Sequence, residues 1–405
     1  MVKVIDKFRV NGKGKCNIQL SRGMKAIVVM LFLSAVMSCS LLTSKKQASL
    51  YMSNKYYNYI QPTFELYIKV TEKWLIKNRT YLSNNHKKER LMNMPFELGN
   101  KEDSDKAILL VHGLGDSPYS FSDIANSLHK QGYYVQVLLL PGHGSKPQDL
   151  MLPNYADWQE VVDHYANLLK NDFSDVWLGG YSTGGNLVTI HTIENKGVDG
   201  LLLFAPGFQS NIPIIEKFAR VVSLFVDGYE RDETNLAKYT SSTIQGAIAY
   251  TDSASKLRDL LDDTIIKIPT LVVVSEADSI IDSASIKALF LKHFNHPKNR
   301  MVWYGNADNE DDSVKYLTMN FEKERISTGS HMSPLFAPDN PYYGVYGERR
   351  TCKVTFKELV SLRCPNNKDL WYGAYGYKEE GKKHTRLTWN PYYLEMEKEM
   401  EKIAY

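Results

Sequence analysis

Cysteine is scarce, four among 405 residues, which excludes a small domain held together by disulfides. No charge of either sign dominates. Forty-nine Lys and Arg face 46 Asp and Glu, a formal net charge of +3, and beyond the first residues no long basic stripe occurs. Composition therefore gives no reason to expect a nucleic-acid partner. Nothing repeats at a solenoid period. Gly 25 and Pro 15 are ordinary frequencies that exclude collagen-like and low-complexity chains. What is present is 43% hydrophobic and 23% charged residues. A chain so apolar and so long can bury a large core, as one globular unit carrying insertions.

An apolar run from Ala26 to Ser38 stops short of the about 20 residues that a membrane-spanning helix needs. Upstream, Lys3, Lys7, Arg9, Lys13, Lys15, Arg22 and Lys25 oppose only Asp6. A positive flank, a short apolar core and small residues at its end are the parts of a secretory signal. Val36-Met37-Ser38-Cys39 resembles a bacterial lipobox, which implies lipidation of Cys39 as the first mature residue. The expectation is a signal peptide over 1–38, read from Met1 or from Met24, and a lipid-anchored protein of the bacterial cell envelope facing the periplasm or surface. Thr43 to Ser49 reads as a tether. The remaining late cysteines, Cys352 and Cys364, form an even pair that an oxidising compartment could join.

From residue 107 the pattern becomes regular. Ala107–Val111, Val135–Leu140, Asp175–Gly179, Gly200–Phe204 and Thr270–Val274 read as nearly continuous apolar strands. Between the first four lie segments of helical spacing. One opens at Ser117-Pro118, one is capped by Asn154, and one runs from Gly184 to Ile193. Buried strands alternating with helices predict an α/β fold, a mostly parallel sheet covered on both faces. The series breaks between Gly207 and about Lys267, an insertion whose first part, Pro213 to Phe225, predicts an amphipathic helix. Its Phe218 and Phe225 are candidates to line a pocket. The organisation expected is a tether and N-terminal segment over 39–100, a main domain over 101–340 with a cap over 207–267, and an extension over 341–405.

Gly180-Tyr181-Ser182-Thr183-Gly184 falls where a strand must turn into a helix. In such an elbow the glycines permit a tight turn that thrusts the serine out at the sheet edge. Gly179 and Gly184 have P-loop spacing, but the lysine that would meet phosphate is absent. A serine hydroxyl needs a base to take its proton and an acid to orient the base. An elbow serine finds both further along the chain, acid first. Asp278 lies just past the strand Thr270–Val274; Asp282 is the rival, and either can be a helix N-cap. His331, in the small-residue loop Ser327-Thr328-Gly329-Ser330, is the candidate base. His293 and His296, beside Lys292 and Lys298, read as solvated and lack the companions of a zinc site. His384 sits in a charged tail, and His191 belongs to the helix after Ser182. Oxyanion donors are expected at the N–H groups of Thr183 and Leu114.

His112-Gly113-Leu114-Gly115-Asp116-Ser117-Pro118, Leu140-Pro141-Gly142-His143-Gly144 and Gly180-Tyr181-Ser182-Thr183-Gly184-Gly185 together resemble serine hydrolases of the monoacylglycerol lipase and bacterial carboxylesterase type. The resemblance spans roughly residues 105 to 335. It implies an α/β-hydrolase fold with a cap after the sixth strand, and a triad of Ser182, Asp278 and His331. It also implies oxyanion donors at Leu114 and Thr183, no metal or other cofactor, and a small-molecule or lipid ester as substrate. No protein partner is expected. A thioesterase, an amidase or peptidase, or a non-catalytic lipoprotein would share the same elbow. The chain departs from such relatives in three places: Ser275 before the acid, a long acidic stretch (Asp308, Glu310, Asp311, Asp312) before His331, and a long tail after it. The tail carries Pro341-Tyr342-Tyr343-Gly344 and Trp371-Tyr372-Gly373-Ala374-Tyr375-Gly376-Tyr377, expected to pack on the main domain rather than to stack on a ligand.

Overall fold

The computed structural model describes residues 57–307, 311–349 and 370–404. Cys39, Cys352 and Cys364, and with them the lipidation and the disulfide, lie outside the described residues.

Helix α1 (Phe64–Asn78) starts where the Thr63 hydroxyl accepts the Leu66 N–H, and it buries Phe64, Tyr67 and Leu75. Helix α2 (His86–Asn93) is capped in the same way by Asn85. The two are locked by a buried carboxylate. Glu89 accepts N–H groups from Leu82 and Ser83 and pairs with Arg79 at 3.2 Å. Burial opposes its ionisation, but these donors outweigh it and hold the carboxyl below the usual range.

The main sheet then assembles. Strand β1 (Phe96–Leu98) is a short antiparallel edge; β2 (Lys106–Val111), β3 (Tyr133–Leu138), β4 (Asp175–Tyr181) and β5 (Gly200–Phe204) follow it. Between them run α3 (Ser122–Lys130), α4 (Tyr155–Asp172) and α5 (Thr183–Glu194). Asn154 starts α4 with a full capping box, as its residue type predicts. After β5 the chain leaves the sheet. It forms α6 (Pro213–Val222), a small antiparallel pair of β6 (Gly228–Tyr229) and β7 (Ser242–Thr243), and α7 (Ile244–Asp262). The sheet resumes with β8 (Thr270–Ser275), α8 (Ser283–His293), β9 (Arg300–Tyr304) and β10 (Val314–Leu317). The tail adds a parallel pair, β11 (Leu370–Gly373) and β12 (Lys383–Arg386), and α9 (Tyr393–Ala404).

The eight main strands lie in the order β1-β3-β2-β4-β5-β8-β9-β10, all parallel except β1. This is the doubly wound α/β-hydrolase architecture, with β4 and β5 near the middle. The inner strands are buried along their length apart from the first residues of β2 and β4, as the continuous apolar runs require of a sheet covered on both faces. Among the described residues no helix is long and apolar enough to cross a membrane.

Candidate active site

The centre of the site is a strained residue. Ser182 stands between β4 and α5 with φ 53° and ψ −118°, a left-handed conformation that costs a non-glycine residue about 1–3 kcal/mol. Three hydrogen bonds hold it there. Its N–H donates to the Phe204 carbonyl at 3.1 Å, and its carbonyl accepts the N–H groups of Gly185 at 2.9 Å and Gly207 at 2.8 Å. The turn also needs bare α-carbons. A Cβ on Gly184 would stand 1.9 Å from the Val111 carbonyl oxygen, and one on Gly113 would stand 3.0 Å from the Ser182 Cβ.

The fold brings two distant groups to this serine. His331 Nε2 is 3.0 Å from Ser182 Oγ, and His331 Nδ1 is 2.7 Å from Asp278 Oδ2. Asp278 lies past the carboxyl end of β8, where its other oxygen accepts the N–H groups of Ile280 at 2.8 Å and Ile281 at 3.2 Å. With its Nδ1–H given to the carboxylate, the imidazole presents Nε2 as an acceptor to the hydroxyl. All three side chains are nearly enclosed, Ser182 being 9% exposed. That is open enough for a ligand atom and closed enough to keep these bonds out of bulk water.

Thr183 begins α5, so its N–H is one of the helix-start donors with no intrahelical acceptor. Leu114 follows Gly113, the residue that lies against Ser182, and its side chain reaches α7 at Gly246. Both proposed oxyanion positions are thus next in the chain to residues at the elbow, Leu114 to Gly113 and Thr183 to Ser182. The other sequence candidates lie elsewhere. Asp282 caps α8 by accepting the Ser285 N–H. His191 is buried against Asp163 at 2.7 Å, and His384 meets the Ser327 hydroxyl at 3.1 Å. His293 departs from expectation: it is buried rather than solvated, with Nδ1 3.3 Å from the Thr264 carbonyl. Among the described residues no group of His, Cys, Asp and Glu is arranged to hold a metal ion.

His112 and His143 stand in the glycine motifs without a role that residue type reveals, and the structure supplies one. His112 donates from Nδ1 to the Gly113 carbonyl at 2.8 Å and accepts the Leu140 N–H at Nε2. His143 accepts the Gly115 N–H at 3.0 Å, with Nδ1 turned to the Leu140 and Pro141 carbonyls. The two rings, 4.8 Å apart, brace the loop that carries Leu114 against the loop after β3. Burial depresses His112 to about 4 and His143 well below its ordinary value, so both work as neutral rings at neutral pH. The cap grips the same loop from outside. Tyr239 N–H donates to the Gly115 carbonyl at 2.7 Å, and Lys238 pairs with buried Asp116 at 2.6 Å.

The tail holds the loop of His331. Ser330 Oγ donates to the Leu387 carbonyl and Ala374 N–H to Thr328 Oγ1 at 2.9 Å. Ser327 N–H donates to the Tyr372 carbonyl at 2.8 Å, and Asn390 N–H to the Phe336 carbonyl at 2.8 Å. The aromatic clusters serve this packing: Tyr342 and Tyr343 are buried, and the Tyr372 ring meets Trp389 at 4.4 Å.

Parts of the chain are similar to known proteins. Residues 102–242 match the family described as serine aminopeptidase, S33. A carboxylesterase of Bacillus subtilis (strain 168) is 24% identical over 230 residues, 55% of this chain and 89% of that protein. A thermostable monoacylglycerol lipase of Bacillus sp. (strain H-257) is 23% identical over 198 residues, 47% of this chain and 77% of the other. Among solved structures, a monoacylglycerol lipase of Paleococcus ferrophilus aligns over 52% of this chain and 87% of its own, at TM-score 0.42 and 17% identity. The chain is an enzyme of the α/β-hydrolase fold, related to carboxylic ester hydrolases.

Proposed function

We propose that this protein is a serine hydrolase that cleaves carboxylic esters, of the carboxylesterase or monoacylglycerol lipase type, through an acyl-enzyme on Ser182. The observation that carries the reading is the unbroken chain from Ser182 Oγ through His331 to Asp278, at 3.0 and 2.7 Å. Ser182 attacks the ester carbonyl while His331 Nε2 takes its proton. Asp278 keeps the imidazole in the required tautomer and stabilises the imidazolium. The N–H groups of Leu114 and Thr183 receive the oxyanion. Collapse of the tetrahedral adduct returns the proton to the leaving alcohol, and water then releases the acid by the same route.

The test is a panel of p-nitrophenyl and glyceryl esters with wild type and Ser182→Ala. Loss of at least about 10³-fold in kcat is expected, and equal rates in the two proteins refute the assignment. An amide or peptide bond is the second reading, favoured by the description of the matched family. Adding aminoacyl p-nitroanilides to the panel decides between the two.

For location, we infer that Cys39 anchors the mature chain by lipid to the bacterial envelope, on the lipobox-like Val36-Met37-Ser38-Cys39 and its basic flank. Metabolic labelling with a palmitate analogue should mark wild type and not Cys39→Ser. Equal labelling, or none in either, removes the anchor.

A further inference from the structure

Arg386, the last residue of β12, is provided with little for its charge. Its guanidinium lies 4.5 Å over the Tyr375 ring, and one terminal nitrogen stands 3.5 Å from the sulfur of Met332, the residue after His331. Its Nε is buried without a hydrogen-bond partner. Arg231 comes from the cap to the same ring: its Nη1 is 3.5 Å from the Tyr375 hydroxyl, and its guanidinium lies 4.8 Å from the Tyr229 ring. Among the described residues neither arginine is paired with a carboxylate. Nearby acids are engaged elsewhere, Glu233 by the N–H groups of Thr240 and Ser241, Glu379 by Lys382 and Ser327.

Arg79 and Arg349 share the unpartnered buried Nε, but their terminal nitrogens all meet oxygens. Arg79 donates to the Gly144 and Leu236 carbonyls and to Glu89, and Arg349 donates to both oxygens of Thr234. A guanidinium has five N–H donors in a planar fork, and a thioether is a weak acceptor. Holding the Arg386 guanidinium partly out of water with no oxygen partner among the described residues is unfavourable, and the natural complement of the fork is an oxyanion bound at two points.

We propose that Arg231, Tyr375 and Arg386 form a subsite for an anionic group, a phosphate or carboxylate, carried on the alcohol half of the ester. The position sets the half. The cap side of Ser182 offers Leu114 and the Tyr250 ring, apolar surface suited to an acyl chain. Arg386 lies against Met332, next in the chain to His331, which hands the proton to the departing alcohol, and Arg231 reaches the same Tyr375 ring. The choice of substrate rests on the ester-hydrolase reading above; the anion binding does not.

Two measurements on the full chain test this. Calorimetric titration with glycerol 3-phosphate, with succinate and with glycerol should show binding of an anion and none of glycerol. Whichever anion binds identifies the source. Arg386→Gln should weaken that binding at least tenfold, Arg386→Lys less, and the exposed Arg231→Gln severalfold. Separately, the kcat/KM ratio of a butyryl ester of glycerol phosphate to butyrylglycerol should fall at least tenfold in Arg386→Gln. Neither anion binding to wild type, or unchanged affinity in both glutamine variants, overturns the subsite. Turnover of neither ester by wild type counts against the ester-hydrolase reading, while the titration still decides the subsite.

Discussion

At the scale of single residues, the site is strain held in place by close approach. Because Gly184 packs its α-carbon against the Val111 carbonyl at a distance no methyl group can share, Gly184→Ala must push α5 away from β2. The expected loss is about 3 kcal/mol, seen as a fall in Tm of roughly 4 °C in a chain of this length, and kcat should drop with it. A normal Tm would mean that the elbow tolerates the methyl. The buried pair of neutral histidines gives a pH dependence. An unfolded chain protonates His112 near 6.5, whereas the folded chain resists until about 4. Between those values the unfolded state binds more protons, so the contribution is present above about pH 6.5 and is lost as pH falls toward 4. Acid denaturation curves should show a stability loss on the order of 3 kcal/mol across that window, reduced in a His112→Gln variant. Elbow, acid and imidazole could be picked from sequence because each sits at a local landmark: a glycine pentapeptide, a strand end, a small-residue loop. The bracing by His112 and His143 could not, since their partners include backbone groups 28 residues away, which no local pattern records.

At the scale of elements, the cap and the strands had unequal visibility. Strands β2 to β5 and β8 were legible as apolar runs because burial on both faces leaves no alternation to interpret. Helix α7 was missed, and so were α1 and α2. In α2 the one fully buried side chain is Glu89, a charge whose partners are not apparent from periodicity. The amphipathic helix after β5 is present as α6, though it ends at Val222 rather than Phe225, and the two rings are not packed away: Phe218 is 47% and Phe225, past the helix end, 59% exposed. Packing therefore does not account for them. Replacing both by alanine should change stability by no more than about 1 kcal/mol while lowering the preference for long over short acyl esters. A chain-length profile and a melting curve together decide: a large fall in Tm with an unchanged profile returns these rings to a structural role. The Lys238–Asp116 pair joins the cap to the loop after β2, and truncating it as Lys238→Met leaves a buried carboxylate with only the Ser117 N–H and the Ser120 hydroxyl as donors. That should cost about 2–3 kcal/mol and lower kcat more than it raises KM.

At the scale of the whole molecule, the chain returns to its own site. The curated relatives align over about half of it, and the tail lies outside the family match. Yet that tail supplies the acceptor for Ser330 and the strand against which Ser327 and Thr328 are bonded. It also inserts Trp389, Met396, Met400 and Ile403 into the main core. Placing His331 is thus shared between the hydrolase sheet and a segment whose first described residue is Leu370. The sequence pattern could suggest that the tail packs, from its aromatic residues, but not that it packs on the base, because backbone hydrogen bonds leave no trace in residue type. Two variants separate scaffold from positioning. A chain ending at residue 349 loses the core residues and should be both less stable and inactive. Ser330→Ala removes two side-chain bonds, one given to the Leu387 carbonyl and one received from the Met332 N–H, together worth about 2 kcal/mol, and should leave most stability in place. If the tail positions the imidazole, that variant lowers kcat about tenfold at nearly constant KM and slows labelling of Ser182 by a fluorophosphonate in proportion. Wild-type kcat in Ser330→Ala would reduce the tail to a scaffold.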